Sequence, residues 1–365
     1  MIRNNVEIRP FEDCIKKVKY TKKVASQDFK ESGRFPIVSQ EEAFISGYWD
    51  NPDDVFSIDG PVVIFGDHSR HVKYVDFDFV IGADGVKILA PVDDINAKYF
   101  YYYLKSQRIQ SLGYSRHYKV LKEKMVPVPS LADQQRIVDE LDLLSGIVEK
   151  KNAQLKIMGD LEQSVFYEMF DQPDSPSFPV FKLSQLSRQK LSYGSGASAV
   201  EFNGNVRYVR ITDIQEDGIL TENSMSPDSY DEKYLLHEGD ILFARSGATV
   251  GKTFLYNKQD GKSIYAGYLI RFVPDVSVVY PEYIYHFTRS QYYKAFVRAN
   301  AQAVAQPNIN AQQYGNLEIC VPPMSLQKDF VERIMSIDSQ KATIRRSIKV
   351  AQNLLASRLD NYFNV

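Results

Sequence analysis

The chain has 365 residues, enough for two or three domains with their own cores, and its 44% hydrophobic and 25% charged content is that of an ordinary globular protein. No stretch of about 18 uninterrupted apolar residues occurs and the start carries no apolar signal core, so no membrane span is expected and a cytoplasmic location is predicted. The net charge of −2 argues against a non-specific nucleic-acid binder, while leaving room for local basic patches on a sequence-specific one.

In chain order, residues 1–128 form a first globular part. Phe35–Val38, Asp59–Phe65 and Val86–Pro91 read as strands, and Tyr99–Ser106 as an aromatic-rich helix whose rings fall on all faces and therefore belong to a core. Pro129-Ser130-Leu131-Ala132-Asp133-Gln134 then opens a helical run over 131–169. Residues 171–179 hold Pro173, Pro176 and Pro179, which cannot continue a helix, and read as a linker. A second globular part follows, to residue 321. It contains strands at Tyr208–Ile211, Glu238–Ala244 (entered through a turn), Thr253–Tyr256 and Tyr268–Pro274, and an aromatic helix at Tyr283–Ser290. Pro322-Pro323-Met324-Ser325-Leu326-Gln327 opens a second helical run over 324–362, completing the division into 1–128, 129–170, 171–321 and 322–365.

The two helical runs are a repeat at an interval of 193 residues, which superposes Ile137 on Phe330, Leu141 on Ile334, Leu144 on Ile337, Leu155 on Ile348, Leu161 on Leu354 and Phe170 on Phe363. Apolar residues at Ile137, Leu141, Leu144, Val148 and Leu155, and at Phe330, Ile334, Ile337, Ile344 and Ile348, follow the alternating three-and-four spacing of a coiled-coil seam, with gaps at Lys151 and Lys341. A whole globular part separates the runs, so they can fold back and pair antiparallel. The expected fold is α+β: two similar mixed domains, each followed by a long helix, with pseudo-two-fold symmetry. Such a plan suits two separated sites on one long ligand, and DNA is the obvious candidate.

Motifs that resemble catalytic ones fail on spacing. Gly247–Thr253 has three residues between its glycines where a phosphate-binding loop has four, and strand follows where a helix is needed. Asn51-Pro52-Asp53-Asp54 lacks the second proline and the aromatic of an amino-methyltransferase signature and reads as a turn. Asp231-Glu232-Lys233 has no Pro-Asp at a sensible distance upstream to complete a nuclease motif. The five histidines show no metal-ligand spacing, and Cys14 and Cys320 read as separate reduced, buried thiols. No catalytic residue and no metal site is expected.

Two groups of loop residues suit base and phosphate contacts. In the first part these are His68, Arg70, His71 and Lys73, after the central strand, and Arg116, His117 and Tyr118, after the aromatic helix. In the second they are Arg245, Ser246, Thr249 and Lys252, then Gln302, Gln306, Asn308 and Asn310. Arginine matches guanine, and asparagine or glutamine adenine, through paired hydrogen bonds in the major groove. Gly66-Asp67-His68 stands where the second part has Arg245-Ser246-Gly247.

With these residues in view, the chain resembles the specificity subunits of type I restriction–modification systems. The resemblance is carried by the two proline-led helix starts at 129–134 and 322–327, both long helices, Gly239–Gly247, Tyr208–Ile214 and Gln306–Asn310. It implies a non-catalytic subunit that reads a bipartite double-stranded DNA target with two target recognition domains. It also implies that the paired helices act as a spacer and docking surface for two modification (methyltransferase) subunits, which carry S-adenosylmethionine, with motor–nuclease restriction subunits joining for cleavage. The alternatives from other classes are a nucleotide-hydrolysing enzyme built around Gly247–Thr253 and a coiled-coil protein-interaction scaffold.

Overall fold

The computed structural model describes residues 6–110, 113, 115–170, 178–301 and 307–364. The linker residues 171–177 lie outside them. Seven α-helices occur among the described residues: α1 (Ala97–Ser106), α2 (Tyr118–Lys122), α3 (Leu131–Phe170), α4 (Pro281–Phe287), α5 (Gln291–Ala301), α6 (Ala311–Gly315) and α7 (Met324–Phe363). The chain divides into two compact units, residues 1–152 with 346–365, and residues 153–345. Each unit thus contains one mixed domain and half of each long helix.

In the first unit, a four-stranded antiparallel sheet runs in the order Ile15–Lys16, Val86–Pro91, Val62–Gly66, Val72–Val75. The central strand Val62–Gly66 is apolar on both faces because both are covered. Val63 and Phe65 face a cluster with Tyr99, Phe100 and Tyr103 of α1, while Val62 and Ile64 face Val38, Phe79 and Ile81 of a second sheet. That second sheet is built on Phe79–Gly82, parallel to both Lys23–Val24 and Phe35–Val38. Glu7–Pro10 pairs antiparallel with Met125–Val128, closing the domain where α3 begins.

The second unit repeats this plan. Ser192–Tyr193, Leu269–Phe272, Ile241–Ala244 and Thr253–Leu255 form a sheet of the same order, and Val180–Lys182 pairs with Glu318–Cys320 at the start of α7. Ile241 and Phe243 face α4, and Leu242 and Ala244 face the opposite side, the same alternation as in the first unit. Two local expectations need correction. The strand expected at Tyr208–Ile211 is Arg207–Val209, because Asp213 turns back to accept from the Arg210 N–H and bind its guanidinium, which makes Ile211–Asp213 a 3-10 turn. Cys14 is buried, but Cys320 is exposed on the edge strand Glu318–Cys320.

Each long helix is locked at its start by a buried glutamine. Gln134 Oε1 accepts from the Asn96 N–H at 2.8 Å, and its Nε2 donates to the Asp94 and Pro129 carbonyls, both at 2.9 Å. Gln327 repeats the arrangement on the Tyr280 N–H at 2.9 Å and the Val278 and Pro322 carbonyls at 3.3 and 2.8 Å.

The helices pair antiparallel. Within the second unit, Glu162 of α3 meets Lys341 of α7, while Phe166 and Phe170 meet Phe330, so one index falls as the other rises. Within the first, Glu140 meets Arg358 and Tyr362. Ile137, Leu141, Leu144, Phe330, Ile334, Ile337, Ile344 and Ile348 are buried, and Val148 and Leu155 are half-buried. The terminal phenylalanines enter the aromatic helices, with Phe363 lying 5.1 Å from Tyr99 and Phe170 5.0 Å from Tyr283 between ring centroids. The aromatic helices are therefore core elements, as their all-round apolar pattern suggested. Among the described residues no helix is long and apolar enough to cross a membrane.

Candidate nucleic-acid interface

In the second unit, the end of the central strand Ile241–Ala244 delivers Arg245 to a junction of three segments. The Arg245 N–H donates to the Tyr268 carbonyl at 3.1 Å, and its carbonyl accepts from the Ile309 N–H at 2.8 Å. Its guanidinium lies 4.8 Å over the Tyr193 ring, with Nε 3.3 Å from Asn308 Oδ1. Tyr193 is held in turn by the Ala311 N–H, which donates to its hydroxyl at 3.1 Å. Ser246 bridges to Asn308, and Thr249 Oγ1 donates to the Ser246 carbonyl at 3.1 Å. The result is a stacked, pre-oriented arginine fork beside an asparagine, with two tyrosines that remain 42% and 62% exposed (Tyr193 and Tyr268). Arginine and asparagine held this way can pair with base edges, and exposed rings can stack on or pack against nucleotides.

Both tyrosines escaped the sequence reading. Their signal is visible only in hindsight: Tyr193-Gly194 and Gly267-Tyr268 are glycine-flanked. A Cβ on Gly194 would lie 2.3 Å from the Tyr265 carbonyl oxygen, so a side chain there would prevent this close approach of the two turns. Lys252 does not belong to the open cluster. Its Nζ is 2.7 Å from Glu216 and its side chain is only 22% exposed, so it fastens the loop. Asn310 is exposed, but its Oδ1 accepts from the Gln313 N–H at 2.9 Å and caps α6. Gln302 and Gln306 lie outside the described residues.

The Gly247–Thr253 loop has no phosphate cradle. The amides of Gly247, Val250, Gly251 and Lys252 already donate to the carbonyls of Pro307, Gly247, Ala244 and Thr249, and the chain leaves as the strand Thr253–Leu255.

The first unit places its loops on the same scaffold with different chemistry. Strand register makes Asp67, rather than Gly66, the counterpart of Arg245. Gly66 pairs with Val86 as Ala244 pairs with Leu269, and the Asp67 carbonyl accepts from the His117 N–H at 2.8 Å as that of Arg245 does from Ile309. Asp67 is buried and its Oδ1 accepts from the Tyr118 N–H at 2.8 Å.

Three residues expected at the surface are therefore structural. His117 is fully buried, with Nδ1 3.0 Å from the Asp67 carbonyl. Tyr118 is half-buried, edge-on to Phe11. Lys73 is buried within the strand Val72–Val75, and its ammonium donates to the Ser39 and Ala43 carbonyls. Burial pushes the Lys73 pKa down, the mark of an ammonium that satisfies backbone rather than meeting phosphate. Arg70, His71 and Arg116 are exposed, and His68 is half-buried with its N–H donating to Gln40 Oε1 at 3.1 Å. Arg70 sits at φ 66° and donates from Nη1 to the Ile109 carbonyl at 2.9 Å.

The chain is thus a duplicated α+β domain, each copy closed by a long helix that a buried glutamine locks. The type I restriction modification DNA specificity domain matches residues 4–157 and 180–352, one copy on each repeat. The chain belongs to this family. Among its relatives, the type I restriction enzyme EcoR124I/EcoR124II specificity subunit of Escherichia coli is 25% identical over 360 residues, covering 89% of this chain and 84% of the relative. The EcoBI specificity subunit, also from E. coli, is 20% identical over 87% of this chain and 74% of the relative. The crystal structure of a type I restriction–modification S subunit from M. genitalium superposes with a TM-score of 0.60 at 14% identity, covering 99% of this chain and 97% of that one. The specificity-family fold is thus shared at full length despite little sequence identity. This chain is a type I specificity subunit with an α+β architecture, as its repeat and helix-start motifs implied.

Proposed function

We propose that each unit reads one half of a bipartite duplex DNA target, and that the chain supplies this address, without catalysis of its own, to modification and restriction subunits. The observation that carries the reading is one scaffold used twice with different chemistry at the same position, the end of the central strand. The central strand ends in Arg245 stacked on Tyr193 in one unit and in Asp67 fastened by Tyr118 in the other. Two copies of one fold with unlike loops are what an asymmetric, split sequence requires.

Two modification subunits per chain, each bringing S-adenosylmethionine and methylating adenine, fit a second repetition. Ile157 and Leu161 on α3 are 65% and 44% exposed, and their counterparts 193 residues on, Val350 and Leu354, are 67% and 43% exposed. Equivalent apolar pairs on both helices offer two like partners two like surfaces. Motor–nuclease subunits would join that assembly for cleavage in the cytoplasm.

Methylome sequencing of cells with and without the gene tests the reading, and a split motif should vanish with the gene. Arg245→Ala should relax discrimination at one base pair of one half-site by about 1–3 kcal/mol, leaving the other half-site unchanged. A contiguous motif, or a variant that weakens every sequence alike, would overturn the assignment.

A further inference from the structure

We propose that Lys16–Lys23 is a phosphate-anchoring strap peculiar to the first unit, so that the two units hold duplex DNA unequally. This rests on the DNA-reading function above. The segment carries Lys16, Lys17, Lys19, Lys22 and Lys23 with no acidic residue among them, and all five are exposed.

The strap is fixed in place. Val18 packs against the inner core, and the Tyr20 hydroxyl accepts from the Ile88 N–H at 2.9 Å. Lys16 pairs with Asp93 at 2.6 Å and Lys23 lies 5.2 Å over the Tyr20 ring. Among the described residues no carboxylate lies within ion-pair distance of Lys17, Lys19 or Lys22. The strap is also tied to the strand that flanks the end of the central one. Ile88, which binds Tyr20, adjoins Lys87, whose Nζ is 3.7 Å from Asp67 and 5.3 Å over the Tyr118 ring.

By strand register Lys16, opposite Ala90, corresponds to Arg188 beside Val273, so the matching path in the second unit runs from Arg188 to Arg207. It carries one glutamate, Glu201, and three basic residues: Arg188 (3.7 Å from Asp275), Lys190 and the half-buried Arg207, which donates to the Thr221 carbonyl. Edge strands in the same place in the two sheets therefore lead into paths of unlike charge density, five lysines in eight residues against three basic residues and a glutamate in twenty. A pinned row of lysine ammonium groups meets phosphates irrespective of sequence, whereas the sparser path of the second unit offers fewer such contacts.

The test is binding of the full chain to a mixed-sequence duplex across a salt series, comparing wild type with a Lys17→Gln, Lys19→Gln, Lys22→Gln triple variant. Losing three phosphate contacts should reduce the slope of log affinity against log salt by about 2.7, so the wild-type advantage at 50 mM salt should shrink by about 40-fold at 200 mM. The same three positions changed to arginine should keep the wild-type slope. Cognate and mixed duplexes should lose affinity by the same factor, with the methylated motif unchanged. A steep wild-type slope that the glutamine variant retains would overturn the strap while leaving DNA reading intact. A wild-type chain with no salt-dependent duplex binding would overturn both.

Discussion

Gln134 and Gln327 show how one side chain can fix the junction between a domain and a helix. Each is fully buried, and each accepts one backbone N–H and donates to two carbonyls. Leucine at either site would fill the space and strip those groups of their partner at a cost of about 1–3 kcal/mol for a buried polar group left unpaired. For a unit of this size, Gln134→Leu or Gln327→Leu should therefore lower the melting temperature by about 4–8 °C, assuming a loss near 2 kcal/mol. Calorimetry of the two single variants checks this. A shift of under a degree in both would mean that the junction is held by the neighbouring apolar contacts. The glutamine explains why the helix-start motif recurs: proline opens the turn, and the residue five positions later closes it onto the domain.

The long helices depart from their repeat at Lys341. Glu162 and Lys341 form a pair at 2.6 Å with side chains 8% and 13% exposed, and the equivalent positions in the first unit are Leu355 and Val148. Burial pushes the Glu162 carboxyl up in pKa, and the Lys341 ammonium opposes that shift. The seam gap at Lys341 is therefore occupied by a buried ion pair. Lys341→Met should cost about 3–5 kcal/mol, because it leaves a buried carboxylate without its partner. The double change Glu162→Leu with Lys341→Val, which copies the other half of the repeat, should recover most of that loss. Urea unfolding of the wild type, single and double variants measures it. A double variant no better than the single would show that the site cannot accept apolar packing.

At the scale of the whole molecule, the paired helices are proposed to set the spacing between half-sites. One heptad added to each helix at facing positions, after Leu144 in α3 and after Leu355 in α7, preserves the seam. Seven residues add about 10 Å of helix, or about 3 base pairs of B-form DNA. The methylated motif should keep both half-sites and gain a spacer longer by that amount. Altered half-sites with an unchanged spacer would remove the helices as the determinant.

The sequence by itself determined the elements whose burial is periodic. The seam residues from Ile137 to Leu144 and from Phe330 to Ile348, the central strands ending near Phe65 and Phe243, and the aromatic helices were all legible. Burial of a helix stripe or a strand face leaves its period in residue type. The repeat at 193 residues added the duplication, and with it the family.

Only the tertiary structure decided what the polar loop residues do. Lys73, His117 and Lys252 looked like ligand contacts because each is a polar residue close to a strand end. Their partners, Ser39 and Ala43, Asp67, and Glu216, come from 30 to 50 residues away, which no local pattern records. The same folding brings Tyr193 under Arg245 and sets Asp67 opposite it in the repeat. A polar side chain's availability depends on which donors and acceptors the fold delivers to it, so core positions can be read from one chain and contact positions cannot.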